Sequence, residues 1–137
     1  MALTAGVKVD RRGPPAGGSY GYQVLAGEQI WRGGIVALNS AGTLQRVQTS
    51  GSVVIVGIAT QDYSNVGNAS ASPDYVVVER GRWQFQVPSA TPSNIGASVY
   101  ATDDNTTTLS SGSGANLLMG TLDGIDKGLY YVRVSGT

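Results

Sequence analysis

The chain is 137 residues long with neither cysteine nor histidine, and its nine basic and nine acidic residues cancel to a net charge of zero. That length fits a single domain, and the missing side chains exclude disulfides, thiolate metal sites and the commonest general base. Charged residues make up only 13% of the chain, which leaves no global field to capture nucleic acid or an anionic membrane.

Residues 1–19 stand apart from the rest. The stretch VDRRGPPAGGS holds two prolines and three glycines and carries no helical or strand periodicity. Lys8, Arg11 and Arg12 against the single Asp10 give this segment a net +2, leaving −2 for the remainder. It reads as an extended N-terminal arm, either frayed or ordered against a partner. Fully extended, it would reach on the order of 60 Å. Lys8, Arg11 and Arg12 are candidate protein contacts, since arginine can grip carboxylates with two parallel hydrogen bonds. No apolar run resembles a signal peptide or approaches the length that spans a bilayer, so the expectation is a soluble protein made without a signal peptide.

From residue 20 onward the pattern is β. YGYQVL, EQIW, GIVAL, TLQRVQ, VVIVGIAT, YVVVER, RWQFQV, ASVYAT, NLLMGTL and LYYVRV are short runs rich in β-branched and aromatic residues, separated by Asn-, Asp-, Ser- and Gly-rich turns. Arg80 and Gly81 divide two of these runs, so 75–87 reads as a tight hairpin. In its second arm Trp83, Phe85 and Val87 alternate with polar residues and should face the core. One turn of helix is expected after Pro92. About ten short strands over 20–137 predict one all-β domain, a compact antiparallel sandwich or barrel with a jelly-roll topology left open. The halves also resemble each other: Val36 and Val99, Thr43 and Thr106, and Gly57 and Gly120 share an offset of 63. This repeat predicts two similar β-units about a pseudo-twofold axis.

The chain offers little for catalysis. Most carboxylates sit in turns, where aspartate belongs for backbone reasons. The cluster Asp103-Asp104-Asn105 lacks the glycine and the later glutamate of a calcium loop, and reads as a solvated turn. Lys8 and Lys127 lie in the arm and in a turn, so neither resembles a buried, activated amine. No phosphate-cradling glycine motif opens a helix. The reading is therefore a non-enzyme without cofactors. Trp31 and Arg32, at a strand end before Gly33-Gly34, join the arm residues as candidate protein contacts. A carbohydrate-binding module would instead need an exposed aromatic platform.

Five pieces of the sequence resemble the decoration, or cement, proteins of tailed bacteriophage capsids. They are the bend and strand Arg32-Gly33-Gly34-Ile35-Val36 with the following NSAGTL turn, Val56-Gly57-Ile58-Ala59, the run from Val76 to Phe85, IGASVYATDDNT, and the MGTL strand. The resemblance covers about 29–134. It implies a small β protein bound to the outer capsid surface where major capsid subunits meet, stabilising the shell and assembling as a dimer or trimer. It also implies synthesis in the host cytoplasm and places no catalytic or ligand residue. The expected partners are the phage major capsid protein and other copies of the chain. Tail and head-completion proteins are the alternative virion components.

Overall fold

The computed structural model describes residues 2–7, 19–48 and 51–134. Twelve strands occupy them: β1 Ser19–Gln23, β2 Gln29–Ile30, β3 Ile35–Leu38, β4 Leu44–Arg46, β5 Val54–Ala59, β6 Tyr63–Ser64, β7 Tyr75–Glu79, β8 Gly81–Gln84, β9 Ser98–Asp103, β10 Thr106–Thr108, β11 Leu117–Asp126 and β12 Leu129–Val134. They form two five-stranded antiparallel sheets, ordered β1-β7-β5-β3-β4 and β10-β9-β11-β12-β8, plus a small β2–β6 ribbon. The fold is the expected all-β sandwich. The turn of helix expected after Pro92 is a 3-10 turn, Pro92–Asn94.

Each sheet draws its strands from one half of the chain, and the two halves are the same unit. Val36 faces Gly57 across β3–β5, and Val99 faces Gly120 across β9–β11, each 63 positions on. Ile35 opposite Ile58 matches Ser98 opposite Thr121 at the same offset. So do Ala37 opposite Gln45 and Tyr100 opposite Thr108. Even the irregularity repeats, because the ladders skip Val56 in β5 and Met119 in β11. These bulges bring the following glycine against the next strand. A Cβ on Gly57 would lie 2.6 Å from the carbonyl oxygen of Glu79, and one on Gly120 would collide with the carbonyl oxygen of Arg133. Glu79 and Arg133 are themselves counterparts in β7 and β12. The units differ in length at one place. Ala59 faces Val78, nineteen positions on, whereas Leu122 faces Val132, ten on. The additional residues of the first unit lie in the segment 60–74, which carries β6.

Two expectations are corrected here. The run 75–87 is not a hairpin: β7 pairs with β1 and β5, while β8 pairs with β12 in the other sheet. Arg80 is the step from one sheet to the other, where the first unit ends and the second begins. The pseudo-twofold axis also fails. A twofold would bury counterpart residues equally, yet Ile35 and Ile58 are buried while Ser98 and Thr121 are exposed.

The packing is head to tail instead. One core cluster joins Trp83, Phe85, Val87, Val99, Met119, Leu122 and Val132 of the second unit to Ile35, Ala37, Ile55 and Ile58 on the outer face of the first sheet. The first sheet's opposite face holds Val24, Val36, Leu44, Val56, Val76 and Val78, together with Ile30 of the ribbon and a partly buried Tyr63. Alternation along β3 and β5 therefore serves two cores at once, which is why GIVAL and VVIVGIA read as continuous apolar runs. As predicted, Trp83, Phe85 and Val87 are all buried.

Candidate functional site

Of the candidate contact residues singled out from sequence, only Trp31 and Arg32 fall among the described residues, in the turn between β2 and β3. Lys8, Arg11 and Arg12 lie outside the described residues. Trp31 and Arg32 open a turn in which the Gly34 N–H donates to the Trp31 carbonyl at 3.0 Å. Gly33, at φ +83°, takes the third position, where a type II turn needs a positive φ. The Arg32 N–H donates to Asp62 Oδ1 at 2.8 Å, and its carbonyl accepts from the Val7 N–H at 2.8 Å. Trp31 is half-buried and the Arg32 side chain is exposed.

Residues 2–7 lie along this turn rather than away from the body. Leu3 is only 8% exposed, and its N–H donates to Asp104 Oδ1 at 2.7 Å. Gly34 makes room for it: a Cβ there would stand 2.9 Å from the Trp31 carbonyl and 3.3 Å from Leu3 Cδ1. Leu3 thus bridges the β2–β3 turn of the first unit and the β9–β10 turn of the second. At the other end of the N-terminal segment, Ser19 is already the first residue of β1.

The expected solvated turn at Asp103–Asn105 is only half that. Asp103 behaves as a turn aspartate: Oδ1 accepts from the Asn105 N–H at 2.9 Å and Oδ2 from the Thr106 hydroxyl at 3.1 Å. Asp104, by contrast, is 1% exposed. Its carbonyl accepts from the Ile35 N–H, and its Oδ2 has no hydrogen-bond partner among the described residues. Burial pushes the Asp104 carboxyl above its ordinary range, against the lowering pull of the Leu3 N–H and of Arg46. The turn folds inward because its second residue closes the seam over Leu3.

Beside this latch runs a groove of about 440 Å³ lined by Val7, Arg32, Ile58, Thr60, Glu79 and Trp83. Its walls come from the terminal segment, from the first sheet and from the first strand of the second sheet. Other charges hold the framework. Glu28 is buried, with Oε1 accepting from Arg46 Nε at 3.0 Å and Oε2 from the Arg46 N–H at 3.1 Å. Arg82 Nε reaches Asp123 Oδ2 at 2.9 Å across the second sheet. Among the described residues no group of three or more acidic side chains is placed to hold a metal ion.

Sequence reasoning missed Leu3 and Asp104. Leu3 carries no periodic signal in so short a segment, and Asp104 sits in a run that local chemistry assigns to solvent. The tryptophans do not form a sugar platform, since Trp83 is core and Trp31 is half-buried. No protein-family model matches the chain, and no curated protein matches it.

Proposed function

We propose that this chain is a capsid decoration protein, bound to the outer surface of a bacteriophage shell where major capsid subunits meet, which it reinforces. The observation that carries the reading is the resemblance of 29–134 to such proteins. Its pieces fall at matching places of the two units: Val56-Gly57 and the MGTL strand are the bulged centres of β5 and β11. Two physical features support it. The body is two sheets sharing one core, suited to transmitting load between neighbours. The N-terminal segment is pinned to that body at Leu3 and Val7, so contacts made by Lys8, Arg11 and Arg12 would act on an anchored arm. Binding repeated over a shell gains strength from avidity rather than from one tight site.

The test is co-sedimentation of purified protein with undecorated phage capsids, reading copies bound per shell. Saturation near the number of capsid subunits is the expected result, and an Arg11→Ala/Arg12→Ala variant should lose occupancy at least several-fold. That variant is preferable to deleting 1–19, which would remove buried Leu3 and the first residue of β1. Absence of binding to shells overturns the reading.

A further inference from the structure

The sheet edges are unequal. Pairing templates are normally blunted by shortness, charge or proline. Strand β4 is three residues long and ends in Arg46, β10 is three residues long, and β8 carries Arg82. Strand β1 is different: Ser19–Gln23 is five residues, SYGYQ, without a charge or a proline. Among the described residues its only strand partner is β7. Strand β4 approaches only beyond its end, through the Val24–Leu44 bridge, where the Leu25 N–H donates to the Leu44 carbonyl. Among the described residues no strand pairs with the outward edge of 19–23.

We propose that β1 pairs antiparallel with β1 of a second copy, across a twofold axis at Gly21, joining two first sheets into one. The strand is nearly palindromic. Pairing about Gly21 sets Tyr20 opposite the second copy's Tyr22, and Ser19 opposite its Gln23. Aromatic cross-strand pairs of this kind stabilise a ladder; the strand itself carries no charge, and the Arg80 guanidinium stands 5.9 Å from the centre of the Tyr20 ring. The adjoining faces fit. Tyr20 is 52% exposed on one side of the sheet, and Tyr75 and Val77 are 62% and 41% exposed on the other. Tyr75 leans over Gly21, with its Cβ 3.3 Å from where a Gly21 Cβ would be. Two copies would bring two such tyrosines together over a pair of glycines. The second unit covers the outer face of the first sheet at Ile35, Ala37, Ile55 and Ile58 but leaves Tyr75 and Val77 bare.

The area sets the strength. Two tyrosines at these exposures contribute roughly 100 Å² each per copy. Even with the strand edges added, the total stays below the about 1,200 Å² of a standard stable interface. The dimer is therefore weak in dilute solution and fills as concentration rises. Purified protein alone tests this, so the outcome is independent of shell binding.

Sedimentation velocity over a concentration series should show exchange between the 14.1 kDa chain and a species of twice that mass. Tyr20→Lys, which puts a charge on the edge, should weaken dimerisation at least tenfold. The chain has no cysteine, so Gly21→Cys creates a single thiol at the axis. Oxidation should link two copies through it, whereas Val66→Cys on the exposed 60–74 segment should not link. If Gly21→Cys fails to fold, the wild-type series and Tyr20→Lys decide alone. A monomer at every concentration, a trimer, or a dimer untouched by Tyr20→Lys overturns the proposal.

Discussion

Burial of Asp104 makes the stability of the seam depend on pH, with a sign that follows from its direction of shift. In the unfolded chain the carboxyl titrates near its ordinary 3.8, and in the folded protein above that, chiefly because burial penalises the charged form. Below the unfolded value both states hold the proton and the group contributes no slope. Between the two values the unfolded chain releases its proton first, so stability falls as pH rises; above the native value the whole penalty remains. Asp104→Asn keeps an oxygen for the Leu3 N–H and removes the charge. Urea midpoints measured from about pH 4 to neutrality should decline for the wild type relative to the variant, which should be no less stable at neutrality. Parallel curves for the two proteins would show that the carboxylate is not desolvated.

At the scale of elements, the 60–74 segment is held by the β2–β6 pairing, by hydrogen bonds at Asp62 and Ser72, and by one buried side chain. Asn65 is buried, and its amide donates to the carbonyls of Val24, Leu25 and Ser70 at 3.2, 3.0 and 3.0 Å, while Oδ1 accepts from Asn68 Nδ2 at 2.9 Å. The segment and its β6 cover the inner core of the first sheet, which in the second unit is covered by the first unit itself. Asn65→Ala should cost about 1–3 kcal/mol, because it strands the buried Val24 carbonyl and two part-buried ones. Hydrogen exchange should then speed up over 60–74 and β2 before the second sheet is affected. Uniform loss of protection would show the segment is not an independent lid on that core. The strands most readily read from sequence were those with dense β-branched runs, β3, β5, β7 and β12. Strand β6 escaped notice, being two residues long, and β10 was legible only through the repeat, because Thr106–Thr108 has no apolar alternation. The false hairpin at Arg80-Gly81 has a physical reason: its local turn chemistry suits a hairpin, but β1, β5 and β12 compete for the two strands, and those partners lie far away in sequence. At the candidate site, Trp31 and Arg32 were legible as a strand-end turn, whereas nothing local tells Asp104 from its solvated neighbour Asp103.

At the scale of the whole molecule, the repeat was legible because bulge and glycine are tied to one another in each half. The packing of the halves was encoded too, in a contrast between counterparts: Ile35 and Ile58 in the first unit, Ser98 and Thr121 in the second. An apolar outer face on the first sheet accepts the second unit, while a polar outer face on the second ends the stack. Because Ile35, Ala37, Ile55 and Ile58 belong to the core that contains Trp83, neither unit can lose its packing without exposing the other. Unfolding should therefore be a single cooperative transition, with tryptophan fluorescence and far-ultraviolet circular dichroism superimposing. Exchanging the counterparts separates the two roles. Ile58→Thr puts a hydroxyl into the shared core and should cost about 2–4 kcal/mol, with the two signals drifting apart as the units uncouple. Thr121→Ile, on the exposed face, should change stability by no more than about 0.5 kcal/mol yet increase self-association, since it restores the apolar surface that the first unit uses for stacking. Equal costs for the two substitutions would mean that the faces are not distinguished in this way, and that the units meet through some other surface.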